Sequence, residues 1–206
     1  PGDVTEPEAA VQARAVATDR LAQLPALAIA WKIPARNSAD FYAIALLKSL
    51  LLDGESSRIY RALVKEKELA IEVSGTLEAR RGPGQVAVLA IHKEKVKPET
   101  VEALILAEIE RVKTDGIGIE ELNKVKNQYR LARFATGPEG ELSSLQTPLG
   151  RALALAEYTM FDGDPSLINS EIDRYLAVTP EQIREAARRY LGGANRAVLF
   201  ISPAKG

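Results

Sequence analysis

The 206-residue chain has no cysteine and a single histidine, His92. It therefore has no disulfide framework and no thiol nucleophile, a composition compatible with any compartment. A hydrolytic zinc site needs three protein ligands, usually imidazoles with a carboxylate, and a serine triad needs an oriented histidine base. His92 ends a predicted strand and precedes Lys93, Glu94 and Lys95, so we interpret it as a satisfied or solvated histidine. The residues predict no catalytic group and no metal site in this chain.

Excess charge and long apolar runs are also missing. The chain has 27 Lys and Arg against 28 Asp and Glu, a net charge of −1, so no broad field attracts phosphate backbones or acidic lipids. The longest apolar run, at 43–52, is interrupted by Lys48 and is far too short to span a bilayer. We therefore expect no nucleic-acid partner and no membrane span.

Three local patterns allow two interpretations each. Asp162-Gly163-Asp164 is similar in composition to a cation-binding loop, but helix capping by Asp164 accounts for these residues without a metal. Arg58 and Arg61 flank Tyr60 near a helix start and can hold a carboxylate or pack on a ring, although exposed helix arginines usually do neither. A basic helix face is formed by Lys124, Lys126, Arg130 and Arg133. It is either a solvated amphipathic surface or a contact for an acidic partner, and the solvated surface is favoured.

Alternating apolar residues predict five strands. A weak edge strand lies at 12–18, and 27–33 places Leu27, Ile29, Trp31 and Ile33 on one face. A hairpin joins a strand from Ile71 through Ala79, with Ile71 on its apolar face, to a strand at 85–91. Between them Gly82-Pro83-Gly84 predicts a type II turn with positive φ at Gly84. The all-apolar run 197–201 predicts a strand buried on both faces.

Helical periodicity and caps predict helices between these strands. Their expected ranges are about 38–52, 57–67, 98–114, 119–132, 141–160 and 180–191, with one more capped by Asp164-Pro165. Pro148 is expected to kink or split the fifth of these, and Thr179 with Gln182 forms a capping box. The order predicts an α+β fold in which helices cover one face of a mostly antiparallel sheet. We expect a linker remnant at 1–10 and a single domain at 11–206.

Several short segments of the sequence, found in this order of elements, resemble those of a known family. They are similar to the C-terminal half-domain of the pitrilysin or insulinase-like zinc metalloproteases, which include mitochondrial processing peptidase and the bc1 core proteins. The matching segments are LPALAIAWKIP (24–34), LLDGESSRIYRALVKEKELA (51–70), GIGIEELNKVKNQ (116–128), LGRALALAEY (149–158) and FDGDPSLINSEIDRYLAVTPEQIREAARRYL (161–191).

The resemblance implies a division of labour between two halves of similar fold. The N-terminal half carries an inverted His-x-x-Glu-His zinc motif, which is absent here, and both halves enclose a chamber for unfolded peptides. This chain then resembles the non-zinc C-terminal half, which forms the chamber wall and a subunit interface. It is expected to be inactive alone, with zinc in the missing N-terminal half. The implied partners are that half, a homologous second subunit, and a peptide or unfolded protein substrate.

The resemblance also assigns two positions in the segment 54–75. Many family members use an Arg at the end of one helix and a Tyr at the start of the following strand to grip substrate. Val64 occupies the Arg position and Ile71 the Tyr position. In two-subunit branches the zinc-bearing subunit lacks this pair. The departure implies that this domain belongs to the zinc-bearing subunit.

A rival expectation is a non-catalytic structural or assembly protein that kept the fold and lost the metal, as the core proteins did. An independent small-molecule or nucleic-acid module is disfavoured by the neutral charge and the lack of a convergent polar motif. Because bacterial members of the family that the chain resembles are often exported, the resemblance implies a periplasmic location, with a cytoplasmic location as the alternative.

Overall fold

The computed structural model describes residues 12–134 and 145–204. The strands are β1 (Ala13–Asp19), β2 (Ala26–Ile33), β3 (Ala70–Glu78), β4 (Gly84–His92) and β5 (Arg196–Pro203). The helices are α1 (Ala39–Leu52), α2 (Arg58–Tyr60), α3 (Pro98–Asp115), α4 (Ile119–Phe134), α5 (Pro148–Glu157), α6 (Leu167–Ala177) and α7 (Pro180–Tyr190). Two π-helical segments continue α2 and α5, namely π1 (Arg61–Glu66) and π2 (Tyr158–Asp162). The predicted linker at 1–10 lies outside the described residues.

The five strands form one sheet in the order β1-β5-β2-β4-β3. β5 pairs with β1 in parallel, and the other three neighbouring pairs are antiparallel. The predicted α+β fold with a mostly antiparallel sheet is therefore confirmed. β5, the last of the described strands in sequence order, lies inside the sheet, between β1 and β2.

The core lies between one face of the sheet and the helices. Leu27, Ile29, Trp31 and Ile33 point into it and are at most 3% exposed, as their alternation predicts. α1 packs above them and buries ten of its 14 residues, because other helices cover it from the outer side. None of the helices in the described ranges combines the length and apolar character needed to cross a bilayer.

Two strand predictions are wrong in detail. Ile71 is 51% exposed because the β3–β4 register shifts between Ala70 and Glu72, so an extra residue turns Ile71 out of the expected alternation. β5 is not buried on both faces: Val198 is buried, while Leu199 and Ile201 are only half-buried. The helices pack on one face of the sheet only, so the other face of β5 lacks a covering layer.

The predicted helices at 57–67 and 141–160 differ from prediction in their geometry or their bounds. The second helix keeps only one α turn before π1, where the Lys67 N–H donates to the Ala62 carbonyl five residues earlier. Pro148 begins α5 instead of kinking it, because the Thr147 hydroxyl accepts from the Gly150 N–H. The predicted range 141–144 lies outside the described residues. The capping box of Thr179 with Gln182 at the start of α7 is confirmed.

Gly84 in the hairpin is required for a different physical reason from the one that the sequence predicts. Gly84 is the first residue of β4 and is absent from the glycines with positive φ, which are Gly54, Gly116 and Gly163. A Cβ at Gly84 would instead lie 2.1 Å from the backbone oxygen of Glu78. Glycine is therefore required here by the close approach of β3, and the predicted type II turn is wrong.

The substitution Gly84→Ala is expected to destabilise the domain by about 1–3 kcal/mol, since the backbone must shift to admit the methyl group. Gly82→Ala is the matched control, because a Cβ there meets nothing within 4 Å and should cost less than about 0.5 kcal/mol. Urea unfolding followed by circular dichroism measures both. Equal stability of the two variants would contradict the close approach.

Candidate functional site

The sheet has a second face that no described helix covers. Residues paired across neighbouring strands share a face. On the uncovered face three rows cross all five strands: Thr76, Ala87, Ala30, Ala197 and Ala13; Ser74, Leu89, Ala28, Leu199 and Ala15; Glu72, Ile91, Ala26, Ile201 and Ala17. We call these fifteen residues the open sheet face. Twelve of them are apolar, eight of these are alanine, and Glu72 is the only charged one.

The chemistry of the open sheet face is that of a smooth, weakly hydrated surface. Alanine side chains are short, so an extended backbone can approach the sheet closely. Leu89 lies in the middle row, opposite Ala28 on β2, and is 38% exposed. The face offers apolar contact area, and its polar side chains, Ser74, Thr76 and Glu72, all lie on the outer strand β3.

Val64 and Ile71 lie on either side of the turn between π1 and β3. The Leu69 N–H donates to the Leu63 carbonyl at 2.8 Å and closes this turn. Val64 is half-buried and packs against the core, whereas Ile71 projects from the bulge at the outer strand of the sheet. Neither side chain offers a hydrogen bond or a charge to a ligand.

Arg58 and Arg61 are both held by carboxylates of the same chain. Arg58 Nε and Nη2 donate to the two oxygens of Glu121 at 2.8 and 2.6 Å, a bidentate pair that raises the Arg58 pKa against the opposing effect of burial. Arg61 Nη2 lies 3.2 Å from Glu66 Oε1. The carboxylate that the sequence suggested for this helix is supplied internally, so Arg58 joins α2 to α4.

The basic face of α4 is largely tied to neighbouring elements. Lys124 Nζ donates to Ser56 Oγ at 2.9 Å, and Lys126 Nζ donates to the Leu176 carbonyl at 2.7 Å. Burial lowers the pKa of Lys126. Arg133 donates to the Tyr158 hydroxyl. Lys124 is exposed, as the interpretation as a solvated face predicts, whereas Lys126 and Arg133 are partly buried and depart from it.

A polar network that sequence reasoning missed fixes α5 and π2 to the domain. The Tyr158 hydroxyl donates to the Glu171 carboxylate of α6 while accepting from Arg133 of α4. Burial and the bond to Glu171 raise the Tyr158 pKa well above its ordinary value. Arg36 pairs with Glu157 and, at 3.0 Å, with Asp162. The partners lie from 13 residues apart (Tyr158 and Glu171) to 126 residues apart (Arg36 and Asp162) in sequence, so no local pattern marks them.

Tyrosines line the base of this network. The rings of Tyr129 and Tyr175 stack with centroids 3.9 Å apart, and Tyr42 meets Tyr175 edge-on at 4.8 Å. Burial raises the pKa of Tyr129 to about 12. Arg174 donates to the Tyr42 hydroxyl at 3.1 Å. These phenols stay protonated at neutral pH and act as fixed hydrogen-bonding groups.

The other motifs are structural. His92 is 1% exposed, with Nδ1 3.1 Å from the Lys93 carbonyl, so it is buried and not solvated. Asp164 accepts from the Ser166 N–H at 2.9 Å ahead of α6, and Gly163 has a φ of 70° at the end of π2. Within residues 12–134 and 145–204, no three His, Cys, Asp or Glu side chains are grouped so as to hold a metal.

Comparison with known proteins gives one curated relative. The zinc protease PqqE of Helicobacter pylori is 24% identical over 177 residues, which is 86% of this chain and 38% of the relative. The chain therefore spans less than half the length of the curated relative that it matches.

Solved structures share the fold. A protease from Helicobacter pylori superposes with a TM-score of 0.84 at 22% identity, over 96% of this chain and 45% of that one. The inactive peptidase domain of a zinc protease from Bordetella parapertussis gives 0.77 at 25% identity, over 91% of this chain and 95% of that one. The periplasmic protease PqqL of Escherichia coli gives 0.70 at 15% identity, over 95% of this chain and 21% of that one.

The family model described as the Peptidase M16 inactive domain matches residues 1–129. This stretch carries four of the five strands and both Val64 and Ile71. In this family such a domain pairs with an N-terminal half, where zinc is expected. The chain belongs to the M16 peptidase family, as an inactive C-terminal domain of zinc-protease-like proteins.

Proposed function

We propose that this domain forms one wall of the substrate chamber in a zinc metalloendopeptidase and contributes to its subunit interface. The observation that carries the proposal is the open sheet face, a five-stranded surface with twelve apolar positions and one charge. Such a surface holds an unfolded segment by apolar contact without selecting a fold. The zinc, the attacking water and the general base then come from the N-terminal half.

The position of the helices supports the assignment of the open sheet face as the surface that contacts substrate, because they cover the opposite face of the sheet. The other face of the sheet is not available to a peptide, because its residues, such as Leu27 and Ile29, are buried in the core. The two arginines of the α2–π1 helix are paired with Glu121 and Glu66. The open sheet face is thus the broad apolar surface that the described strands offer to an extended peptide.

Val64 and Ile71 refine the proposal. Since neither can provide the charge or hydroxyl of a substrate grip, this domain belongs with the zinc-bearing subunit, and the gripping pair is supplied by a homologous second subunit. We place the assembly in the periplasm. Support comes from the shared fold with PqqL, which is described as a periplasmic protease.

The experiment for the central proposal compares this chain with the longer protein that includes the N-terminal half, in each case with and without the partner subunit. The complete assembly is expected to bind one zinc per zinc-bearing subunit and to cleave an unfolded peptide, whereas the chain alone does neither. Metal analysis and mass spectrometry of peptide products measure this. An upstream half without an intact His-x-x-Glu-His motif, or a complete assembly without cleavage, would favour the structural or assembly role.

The substitution Leu89→Glu tests the chamber wall in the complete assembly. A carboxylate in the middle row of the open sheet face should raise KM for an apolar unfolded peptide about tenfold, the effect of roughly 1.4 kcal/mol. Leu131→Glu is the matched control, because Leu131 on α4 is 71% exposed and lies in the helix layer. Similar KM values for both variants, at unchanged melting temperature, would rule out substrate contact with the open sheet face.

Ile71→Ala tests the assignment of the gripping pair. Ile71 is half-exposed, so the variant should lose less than about 0.5 kcal/mol of stability. Cleavage by the complete assembly should stay within about twofold of the unchanged protein, since the grip is supplied elsewhere. A large fall in kcat/KM with normal folding would place Ile71 itself in substrate contact.

A further inference from the structure

The helix α5 presents an apolar stripe to solvent. Leu149, Ala152, Leu153 and Ala156 recur at the spacing of one helix face, and Met160 follows in π2. All five are exposed, with Leu149 at 53%, Leu153 at 46% and Met160 at 72%. We call them the α5 stripe. Such a spacing of apolar residues ordinarily marks the side of a helix that faces a core.

The opposite side of α5 makes the contact with the domain. Its inward positions are Gly150 and Tyr158, which are buried, and Ala154, which is half-buried. No residue of α5 belongs to the main hydrophobic core. The helix and π2 are instead attached through polar groups, namely Tyr158 to Glu171 and Arg36 to Glu157. The polar network thus positions the helix and leaves its most apolar side outward.

The packing of α5 within the described part of the domain leaves the apolar side of this ten-residue helix uncovered. Helices of this length are marginal in water without tertiary packing. From Pro148 to Met160 the charged side chains are Arg151 and Glu157, and neither lies in the stripe. A helix that is apolar around most of its circumference is typical of one buried in a larger assembly.

We infer that the α5 stripe is a docking surface for the N-terminal half of the same protein. The choice of occupant rests on the proposed function and on chain length, because this chain spans 38% of the zinc protease PqqE and 45% of the Helicobacter pylori structure. More than half of each such protein lies outside the matched part. The absence of charge in the stripe requires an apolar patch on the facing half, as in the core of stable interfaces.

The test is backbone hydrogen exchange of residues 148–160, compared between this chain alone and the longer protein with its N-terminal half. Docking is expected to slow exchange of these amides at least tenfold in the longer protein. Leu153→Asp in the longer protein should return exchange to the rate of the chain alone. Leu155→Asp is the matched control: at 100° per residue Leu155 lies about 160° around the helix from Leu153, so the protection should remain.

The outcomes separate this inference from the proposed function. Slow exchange in a longer protein that binds no zinc would retain the docking surface and remove the peptidase role. Zinc-dependent cleavage with equally fast exchange in both proteins would overturn the docking surface alone. Protection that depends on the concentration of the chain alone would assign the stripe to a second copy of this domain and overturn the choice of the N-terminal half.

Discussion

The burial of α1 is the constraint on which the rest of the fold depends. Ten of its 14 residues are buried, and each large aliphatic side chain among them contributes about 1.5–3 kcal/mol when it leaves water. A helix this apolar must be covered on every side. The sheet covers one side, and the remaining helices must gather on the other. They are then unavailable to cover the opposite face of the sheet, which remains open.

One-sided coverage gives the domain two different surfaces. On the helical side, charged groups are matched internally, with Arg58 bound to Glu121 and Arg14 bound to the buried Glu102. On the open sheet face, backbone pairing satisfies the strands while short side chains leave a nearly uncharged surface. The two surfaces therefore differ in character: ion pairs within the chain hold the helical side together, and the open sheet face presents mainly apolar contact area.

The elements that depend on short-range pattern could be predicted from the sequence. The alternation of Leu27 to Ile33 gave the central strand, and Thr179 with Gln182 gave the start of α7. The bulge at Ile71 could not be predicted, because it depends on how β3 pairs with β4 and not on its own pattern. The network of Tyr158, Glu171 and Arg133 is likewise invisible locally, since three separate helical segments bring it together. The open sheet face follows only once the layer order is known.

The interior position of β5 has a consequence for how the domain forms. β1 and β2 are adjacent in sequence, yet each pairs with β5, Arg196–Pro203, which lies far along the chain from both. During synthesis neither of these pairings can form until Arg196–Pro203 has been made. Non-local pairing of this kind slows folding and prolongs exposure of unpaired strands. The sheet therefore closes only after the intervening helices have been made, and a chain shortened before Arg196 would leave β1 without its neighbour.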